Sequence, residues 1–513
     1  MQVIEFFDRG VLINRDGVAF TTPDGQTRIT YTEAFDLSHR IAAALRRDGC
    51  TDNTPVAVLS PNAPIVFPVI LGVLRSGATW LAVNPVSGID ELADLLTLVG
   101  ARALLYAATT TDLATQLRAR VTGLERTVCI DDPELSRWLP PAGTRVPLPP
   151  VDPDAVAALF GTGGTTGRPK AVEIPHRAFE TMIHGLNIHL PETEPVNLVA
   201  APMTHAAGAL VFPVLSRGGT NVVHNGVRAA EILQSIEHNR ITRTFLPPTA
   251  IYSLLDAPEL AHTDTSTLRY LIYGAAPMSA SRLRRAMTAF GPVLAQFYGQ
   301  VEAPMILSFL SPAEHAEAVT DRALAHRLLS CGRPSTVATI AIVDEAGEPV
   351  DRGTTGEIVV RSTLVMRGYH ANPEQTAATR RPGGWHATGD LGYLDDDGYL
   401  YLVDRKRDLI ISGGFNVYPS EVEHVLWNHP AVRDCAVIGI PDPKWGERVA
   451  AVVELRPDVE VTSDELIQLC KQRLGSVKAP KEIIFRALPR SPVGKVLKRE
   501  LRDSYWAGHG RNI

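Results

Sequence analysis

The chain has 513 residues, of which 45% are hydrophobic and 21% are charged, and its formal net charge is −6. This length exceeds what one hydrophobic core supports, so we expect at least two domains. The composition is typical of a globular protein, and the mildly acidic balance argues against nucleic acid as a partner.

The cysteines and the most apolar segment indicate the compartment. Five cysteines are scattered without a Cys-x-x-Cys pair, which favours neither a metal cluster nor a disulfide framework. The first ten residues carry three charged side chains, unlike a signal peptide. The apolar segment 64–83 contains Arg75 and Gly77, so we expect a core helix and a strand and no integral membrane segment. A cytoplasmic location fits these features best.

The N-terminal part begins with a predicted β-hairpin over residues 18–31 that turns at Asp24-Gly25. An amphipathic helix over 31–47 follows, and Thr30 with Glu33 forms a predicted capping box. Strand and helix patterns then alternate over residues 56–59, 63–75, 79–83, 90–99 and 103–106. Short apolar strands separated by helices predict a parallel, doubly wound sheet.

The remainder of the chain divides into three patterns. Six prolines between residues 139 and 153 predict a stiff connector, after which strands are expected at 197–201, 220–223, 242–246 and 270–273. From about residue 337, strands at 338–343 and 356–361 and a turn at Asp397-Gly398 predict a small β-barrel. The tail from about residue 406 mixes strands (435–439, 449–455) with a helix (463–474). The predicted fold class is α/β, with two doubly wound sheets and a small β-barrel in a large N-terminal domain, followed by an α+β C-terminal domain.

A stretch rich in glycine and threonine spans residues 160–170, between a predicted strand at 156–160 and a helix that opens near His176. Four glycines and three threonines in this stretch let the backbone turn tightly and present donors to one concave site, as in a phosphate cradle. No Gly-Lys-Ser/Thr closes it, so it is not a P-loop. The alternative interpretation is an ordinary surface loop.

This stretch resembles the signature loop of the acyl-adenylate-forming superfamily, which holds acyl- and aryl-CoA ligases, firefly-type luciferases and free-standing adenylation domains. The usual form is Thr-Ser-Gly-Thr-Thr-Gly-x-Pro-Lys-Gly, and here Gly163 replaces the serine and Ala171 the last glycine. The resemblance implies that the loop holds the β- and γ-phosphates of ATP. The residues that correspond are Thr162, Gly163, Gly164, Thr165, Thr166 and Lys170.

Residues 298–302 resemble the Tyr-Gly-x-Thr-Glu motif of the superfamily. The resemblance implies that Tyr298 packs on adenine and that Glu302 binds Mg²⁺, which one carboxylate and substrate phosphates commonly hold. Val301 stands where the family has threonine, whose hydroxyl donates to the α-phosphate. Loss of a hydrogen bond to a charged acceptor costs about 1.5–3 kcal/mol, so we expect a slower or retuned enzyme.

Two further segments imply contacts to adenine and to the acyl group. The turn Gly274, Ala275, Ala276 and Pro277 resembles the family's small-residue segment beside adenine. His205, within residues 202–208, resembles the side chain that lines the acyl pocket. The neighbouring alanines indicate a roomy apolar cavity, although a lone histidine is also compatible with a structural role.

The C-terminal motifs complete the resemblance. Asp390 of Thr388-Gly389-Asp390 corresponds to the carboxylate that accepts from both ribose hydroxyls. Arg405 would contact ribose and phosphate, and Arg407 occupies the pivot position of the inter-domain hinge. Gly413 and Gly414 would line the pantetheine tunnel, and Lys495 would bridge the carboxylate and the α-phosphate.

The resemblance implies an ATP-dependent, AMP-forming ligase that activates a carboxylic acid, fatty or otherwise apolar, and transfers it to CoA. ATP, CoA and the acid are the expected partners, Mg²⁺ is the expected cofactor, and a homo-oligomer is compatible with the sequence. The implied domains are 1–405 (adenylation) and 406–513 (mobile). Two alternatives stay open: an acyl-AMP ligase that loads a separate carrier protein, and a catalytically impaired paralogue that binds acyl and nucleotide groups. The motifs leave the identity of the acid open.

Overall fold

The structure is a computed structural model of the chain. It describes all residues except 52, 132, 151, 163–169, 458, 491–495 and 507–513. The described residues form four sheets, of nine, seven, five and five strands. The predicted α/β fold class is confirmed.

Residues 1–138 supply six strands and six helices. The strands are β1 (Val18–Thr21), β2 (Arg28–Thr30), β3 (Pro55–Leu59), β4 (Thr79–Val83), β5 (Ala103–Tyr106) and β6 (Arg126–Cys129). The helices are α1 (Val3–Ile13), α2 (Tyr31–Arg47), α3 (Val66–Ser76), α4 (Ile89–Val99), α5 (Thr111–Arg120) and α6 (Pro133–Trp138). The predicted hairpin and the capping box of α2 are confirmed, because the Thr30 side chain accepts from the Glu33 N–H and Glu33 caps in return.

Residues 156–334 supply nine strands and seven helices. The strands are β7 (Val156–Thr162), β8 (Lys170–Pro175), β9 (Val196–Val199), β10 (Thr220–Val223), β11 (Arg243–Phe245), β12 (Tyr270–Tyr273), β13 (Leu294–Gln300), β14 (Ala303–Leu310) and β15 (Arg333–Pro334). The helices are α7 (His176–His189), α8 (Ala206–Ala209), α9 (Val211–Leu215), α10 (Ala229–His238), α11 (Pro248–Asp256), α12 (Ala280–Phe290) and α13 (Pro312–Thr320).

The rest of the described chain is richer in strands. Residues 339–405 contain β16 (Thr339–Val343), β17 (Gly356–Arg361), β18 (Gly368–Tyr369), α14 (Pro373–Thr379), β19 (Arg380–Arg381), β20 (Trp385–Leu394) and β21 (Leu400–Arg405). Residues 410–506 contain β22 (Ile410–Ser412), β23 (Phe415–Val417), α15 (Pro419–Trp427), β24 (Val432–Asp442), β25 (Gly446–Leu455), α16 (Ser463–Lys478), β26 (Glu482–Phe485) and α17 (Lys498–Trp506).

Each of the two large sheets has a parallel centre and at least one antiparallel edge. The seven-stranded sheet has the order β18-β8-β7-β4-β3-β5-β6, with β8 and β18 antiparallel to their neighbours. The nine-stranded sheet has the order β15-β14-β13-β12-β11-β9-β10-β1-β2, and β13, β14 and β15 pair antiparallel at one edge. Every residue of β4 is buried, as expected of a central parallel strand covered on both faces.

The strand β8 departs from the sequence expectation. The sequence predicts a helix that opens near His176 after the glycine–threonine stretch, and α7 does begin there. However, β8 intervenes and pairs antiparallel with β7, with Thr162 opposite Lys170. Four of the six residues of β8 are buried, because the segment returns along β7 before the helix begins. The strands on the two sides of the stretch therefore pair with each other.

The helix α3 shows how the N-terminal layers are joined. All of its residues are buried, and it lies against α2, where a Cβ on Gly72 would stand 2.6 Å from Cβ of Ile41. Only a glycine permits this approach. Arg75 in α3 is buried and pairs with Asp8 of α1. Within the described part of the chain, each helix is too short or too polar to cross a membrane.

The β-rich segment, predicted as a small barrel, forms a five-stranded antiparallel sheet in which β16, β17, β20 and β19 follow in order and β21 joins β20. The C-terminal sheet has the order β23-β22-β25-β24, with β26 parallel to β25. Its own apolar cluster, which includes Val437, Val449 and Leu466, is separate from the cores of the large sheets. This agrees with the predicted α+β tail, whereas the boundary at residues 405 and 406 stays a prediction.

Candidate active site

A cavity of about 220 Å³ lies between the turn that joins β13 to β14 and the bend in β20. Gln300 and Glu302 line one wall, and Thr388 and Gly389 line another. In doubly wound sheets, ligands bind beyond the carboxyl ends of the parallel strands. Because β12 and β13 are parallel neighbours, the cavity lies where the fold predicts a ligand.

Tyr298, Asp390 and Arg405 meet beside this cavity. The Tyr298 hydroxyl donates to Oδ2 of Asp390 over 2.7 Å, and Nε of Arg405 lies 3.7 Å from Oδ1. Burial, together with the Asp390 charge, raises the pKa of Tyr298 well above its ordinary value, so the phenol remains a donor. The three residues predicted for adenine and ribose are therefore brought together.

Glu302 and Lys170 share a neighbour that sequence reasoning missed. The Tyr369 hydroxyl donates to Oε1 of Glu302 over 2.8 Å, and Nζ of Lys170 lies 5.9 Å from the centre of the Tyr369 ring. Burial lowers the pKa of Lys170, the Arg407 charge acts in the same direction, and the Glu302 charge opposes them. These charged groups therefore act on one another within a single site.

Tyr369 reaches this position through the fold. Strand β18 pairs with β8, with Tyr369 opposite Val172, so the phenol is carried to the hairpin that holds Lys170. The sequence separation between Tyr369 and Glu302 is 67 residues, and no local periodicity links them. Only the pairing of the two strands reveals the contact.

The segment after β12 is held close to β13. A Cβ on Gly274 would stand 2.6 Å from the carbonyl oxygen of Phe297, so only glycine fits there. The next residue, Ala275, has φ +63°, which is uncommon outside glycine and costs free energy. Ala275, Ala276 and Pro277 are exposed. This strained turn thus presents its backbone beside the strand that carries Tyr298.

His205 stands at the start of α8. Its backbone N–H donates to the carbonyl of Pro202 over 3.1 Å, and its Nδ1 shares a hydrogen bond of 2.9 Å with Oγ1 of Thr204. The side chain remains exposed. Among the described residues, no hydrogen bond or ion pair joins His205 to the Glu302 or Asp390 side chains. Its place in an acyl pocket stays a prediction.

Gly413 and Gly414 form the turn between β22 and β23. Both have positive φ, and a Cβ on Gly413 would stand 2.4 Å from the Trp445 ring. The Gly413 N–H donates to the carbonyl of Trp445 over 2.9 Å. This turn belongs to the C-terminal sheet, and the structure does not bring it into hydrogen bonding with the Asp390 group in the part of the chain that it describes.

Five of the predicted site residues lie outside the described residues: Gly163, Gly164, Thr165, Thr166 and Lys495. Thr162 and Lys170 lie opposite each other at the ends of β7 and β8. The described residues contain no group of three or more His, Cys, Asp or Glu that could hold a metal ion. Mg²⁺ bound by one carboxylate and substrate phosphates needs no such group.

Comparison with known proteins identifies the class. The AMP-binding enzyme family matches residues 7–370, and the AMP-binding enzyme C-terminal domain matches residues 421–495. The chain therefore belongs to the AMP-binding enzyme family, and the resemblance to acyl-adenylate-forming enzymes is confirmed.

Individual relatives cover nearly the whole chain. The medium/long-chain-fatty-acid–CoA ligase FadD8 of Mycobacterium tuberculosis is 37% identical over 95% of this chain and 88% of its own length. The feruloyl-CoA synthase of an Amycolatopsis species is 36% identical over 94% of this chain and 95% of its own. The structure of the amide bond synthetase McbA from Marinactinospora thermotolerans superposes with a TM-score of 0.87, at 31% identity over 98% of this chain and 100% of that one. The prediction of an AMP-forming acid–CoA ligase agrees with the names of the two sequence relatives.

Proposed function

We propose that the protein is an ATP-dependent, AMP-forming ligase that converts an apolar carboxylic acid into its CoA thioester through an acyl-adenylate. The observation that carries the proposal is the convergence of Tyr298, Asp390 and Arg405 beside the cavity that Glu302 lines. This arrangement offers a ring for a base, a carboxylate for hydroxyl groups and cations for phosphates. Two relatives at more than 30% identity, one named a fatty-acid–CoA ligase and the other a feruloyl-CoA synthase, support the same reaction class.

In the first half-reaction, a carboxylate oxygen of the acid attacks the α-phosphorus of ATP, and the bond to pyrophosphate breaks. Two anions meet in this step, so positive charge must be supplied where they approach. Lys170 and the glycine–threonine stretch hold the departing phosphates, and Asp390 fixes the ribose. Lys495 neutralises the carboxylate and the α-phosphate. Glu302 would hold Mg²⁺, which supplies charge neutralisation on the phosphates when bound.

In the second half-reaction, the CoA sulfur attacks the acyl carbon, the bond between that carbon and the phosphate oxygen of AMP breaks, AMP leaves, and the thiol proton passes to solvent. The residues after Arg407 rotate so that Gly413 and Gly414 border the thiol's path. In the present orientation two hydrogen bonds cross this hinge: the Ser420 N–H donates to Oδ2 of Asp404 over 2.9 Å, and the Ser420 hydroxyl donates to the carbonyl of Val403. These bonds join β21 to the start of α15 and hold the present orientation.

The apolar character of the acid is inferred from the residues that follow His205. Residues 206–209 read Ala-Ala-Gly-Ala, and Ala206 and Ala209 pack against the large apolar cluster of the N-terminal sheets. Small apolar side chains leave room and offer a hydrocarbon group no polar competitor. The acids named for the two relatives, a medium or long fatty acid and ferulate, are also largely apolar.

The test is pyrophosphate exchange into ATP with octanoate, palmitate, ferulate and, as a polar control, malonate, followed by AMP release with and without CoA. We expect exchange with an apolar acid and CoA-dependent release of AMP. Exchange that does not respond to CoA supports delivery to a carrier protein. No exchange with any acid supports a non-catalytic binder and contradicts the proposal.

A further inference from the structure

The side chain of Asn62 bridges the two large sheets at the loop that leads to His205. Asn62 lies between β3 of the seven-stranded sheet and α3. Its Nδ2 donates to the carbonyl of Ala201 over 2.9 Å and to that of Ala200 over 3.4 Å. Its Oδ1 accepts from the Met203 N–H over 2.9 Å. One amide group therefore binds two carbonyls and one N–H in the backbone of residues 200–203.

Strand β9 ends at Val199, so residues 200–203 lie beyond its ladder of backbone hydrogen bonds. Met203 is 3% exposed and packs in the large apolar cluster, so its backbone is fixed on one side by packing and on the other by Asn62. Gly208 completes the turn, since a Cβ there would stand 1.9 Å from the carbonyl oxygen of Met203. The stretch 200–203 is thus a rigid platform for the residues that follow.

The His205 side chain takes its direction from this platform. The backbone N–H of His205 donates to the carbonyl of Pro202, which lies between Ala201 and Met203, and the Thr204 hydroxyl bonds to the His205 ring. We propose that Asn62 is a positioning residue of the acid pocket, acting through the 200–203 backbone on His205. This inference rests on the proposed function, because it takes His205 as a wall of that pocket.

The chemistry requires an amide of this length. An amide offers both a donor and an acceptor, whereas a carboxylate of the same shape accepts only. An aspartate at position 62 would keep a partner for the Met203 N–H, but would place negative oxygens against the carbonyls of Ala200 and Ala201. The loop would shift without any loss of side-chain volume.

The nucleotide groups stand on different elements. Tyr298 belongs to β13 and Asp390 to β20, and none of the hydrogen bonds of Asn62 involves them. Displacement of the 200–203 backbone therefore weakens the fit of the acid and leaves the fit of ATP as it was. If Asn62 had only a structural role, its loss would not affect acid binding and ATP binding differently.

The experiment compares Asn62→Asp and Asn62→Ala with the control Asn239→Ala. Asn239 also donates its amide to a distant carbonyl, that of Pro23, over 3.1 Å. It caps the C-terminus of α10. For each variant, KM for the best acid, KM for ATP and Tm are measured by pyrophosphate exchange and thermal unfolding.

We expect KM for the acid to rise about five- to tenfold in both Asn62 variants, the effect of losing one or two neutral hydrogen bonds, with KM for ATP unchanged. The control is expected to leave both constants unchanged. Equal rises in both constants, unchanged constants, or loss of folded protein in both Asn62 variants would overturn the positioning role. Failure of the wild-type protein to exchange with every acid is a different result, because it refutes the proposed function itself.

Discussion

Replacing Tyr369 by phenylalanine tests the contact that the structure adds to the predicted site. The substitution keeps the ring beside Lys170 and removes only the hydroxyl that donates to Glu302 over 2.8 Å. A hydrogen bond to a charged acceptor contributes about 1.5–3 kcal/mol. At ~1.4 kcal/mol per factor of ten, kcat/KM for ATP should fall by about 10- to 100-fold, because Glu302 loses the bond that fixes one of its oxygens.

The assay is pyrophosphate exchange over a range of ATP at several Mg²⁺ concentrations, with direct binding of ATP and Mg²⁺ measured by calorimetry. We expect the variant to need more Mg²⁺ for half-maximal exchange, since an unfixed carboxylate binds a cation less well. Tyr399→Phe is the matched control: the Tyr399 hydroxyl also donates to a glutamate, Oε1 of Glu314, over 3.0 Å. Neither Tyr399 nor Glu314 lines the cavity.

Wild-type exchange and Mg²⁺ dependence in the Tyr369 variant would refute the reasoning. So would a decrease no larger than that of the Tyr399 variant, because it would show that loss of any such tyrosine–glutamate bond acts through general stability. A lower Tm with unchanged kinetics would assign the bond to folding alone.

Three further predictions concern the rate, the half-reactions and pH. Val301→Thr should keep or raise the adenylation rate, and a large fall in pyrophosphate exchange would mean that valine belongs to a retuned site. Lys495→Ala should nearly abolish adenylation yet spare thioester formation from a supplied adenylate; equal loss in both assays would contradict its assignment. Burial lowers the pKa of five histidines from 6.5 to about 4, so the unfolded chain binds more protons between these values and the free energy of unfolding should decrease as pH falls from about 6.5 to 4; a Tm that is constant over this range would contradict it. These histidines are His39, His176, His224, His315 and His386.

Local signals in the sequence predicted most helices and parallel strands. The capping box at Thr30 and Glu33 and the strands at 79–83, 103–106 and 220–223 agree with the structure residue by residue. Capping and apolar periodicity depend on neighbours in the chain. The strand β8 was not predicted, because no local pattern marks residues 171–175 and its pairing with β7 is the feature that defines it.

The candidate site divides in the same way. Motifs brought Tyr298, Asp390 and Arg405 to attention, and the fold joins them. Tyr369 and Asn62 were missed, because each acts on a partner in a distant part of the chain and neither belongs to a recognisable spacing. Such contacts depend on how distant strands and loops are brought together in the fold, and sequence periodicity does not predict this.

The pairing of β1 with β10 has a consequence for how the polypeptide is made. Phe20 lies opposite Asn221 in parallel register, so the N-terminal hairpin stays without its neighbour until the ribosome has released some two hundred further residues. At cellular rates of about 5–20 residues per second, this wait lasts about 10–40 s. During that time an unpaired β edge is open to other nascent chains, so the first thirty residues are exposed to mispairing until β10 has been made.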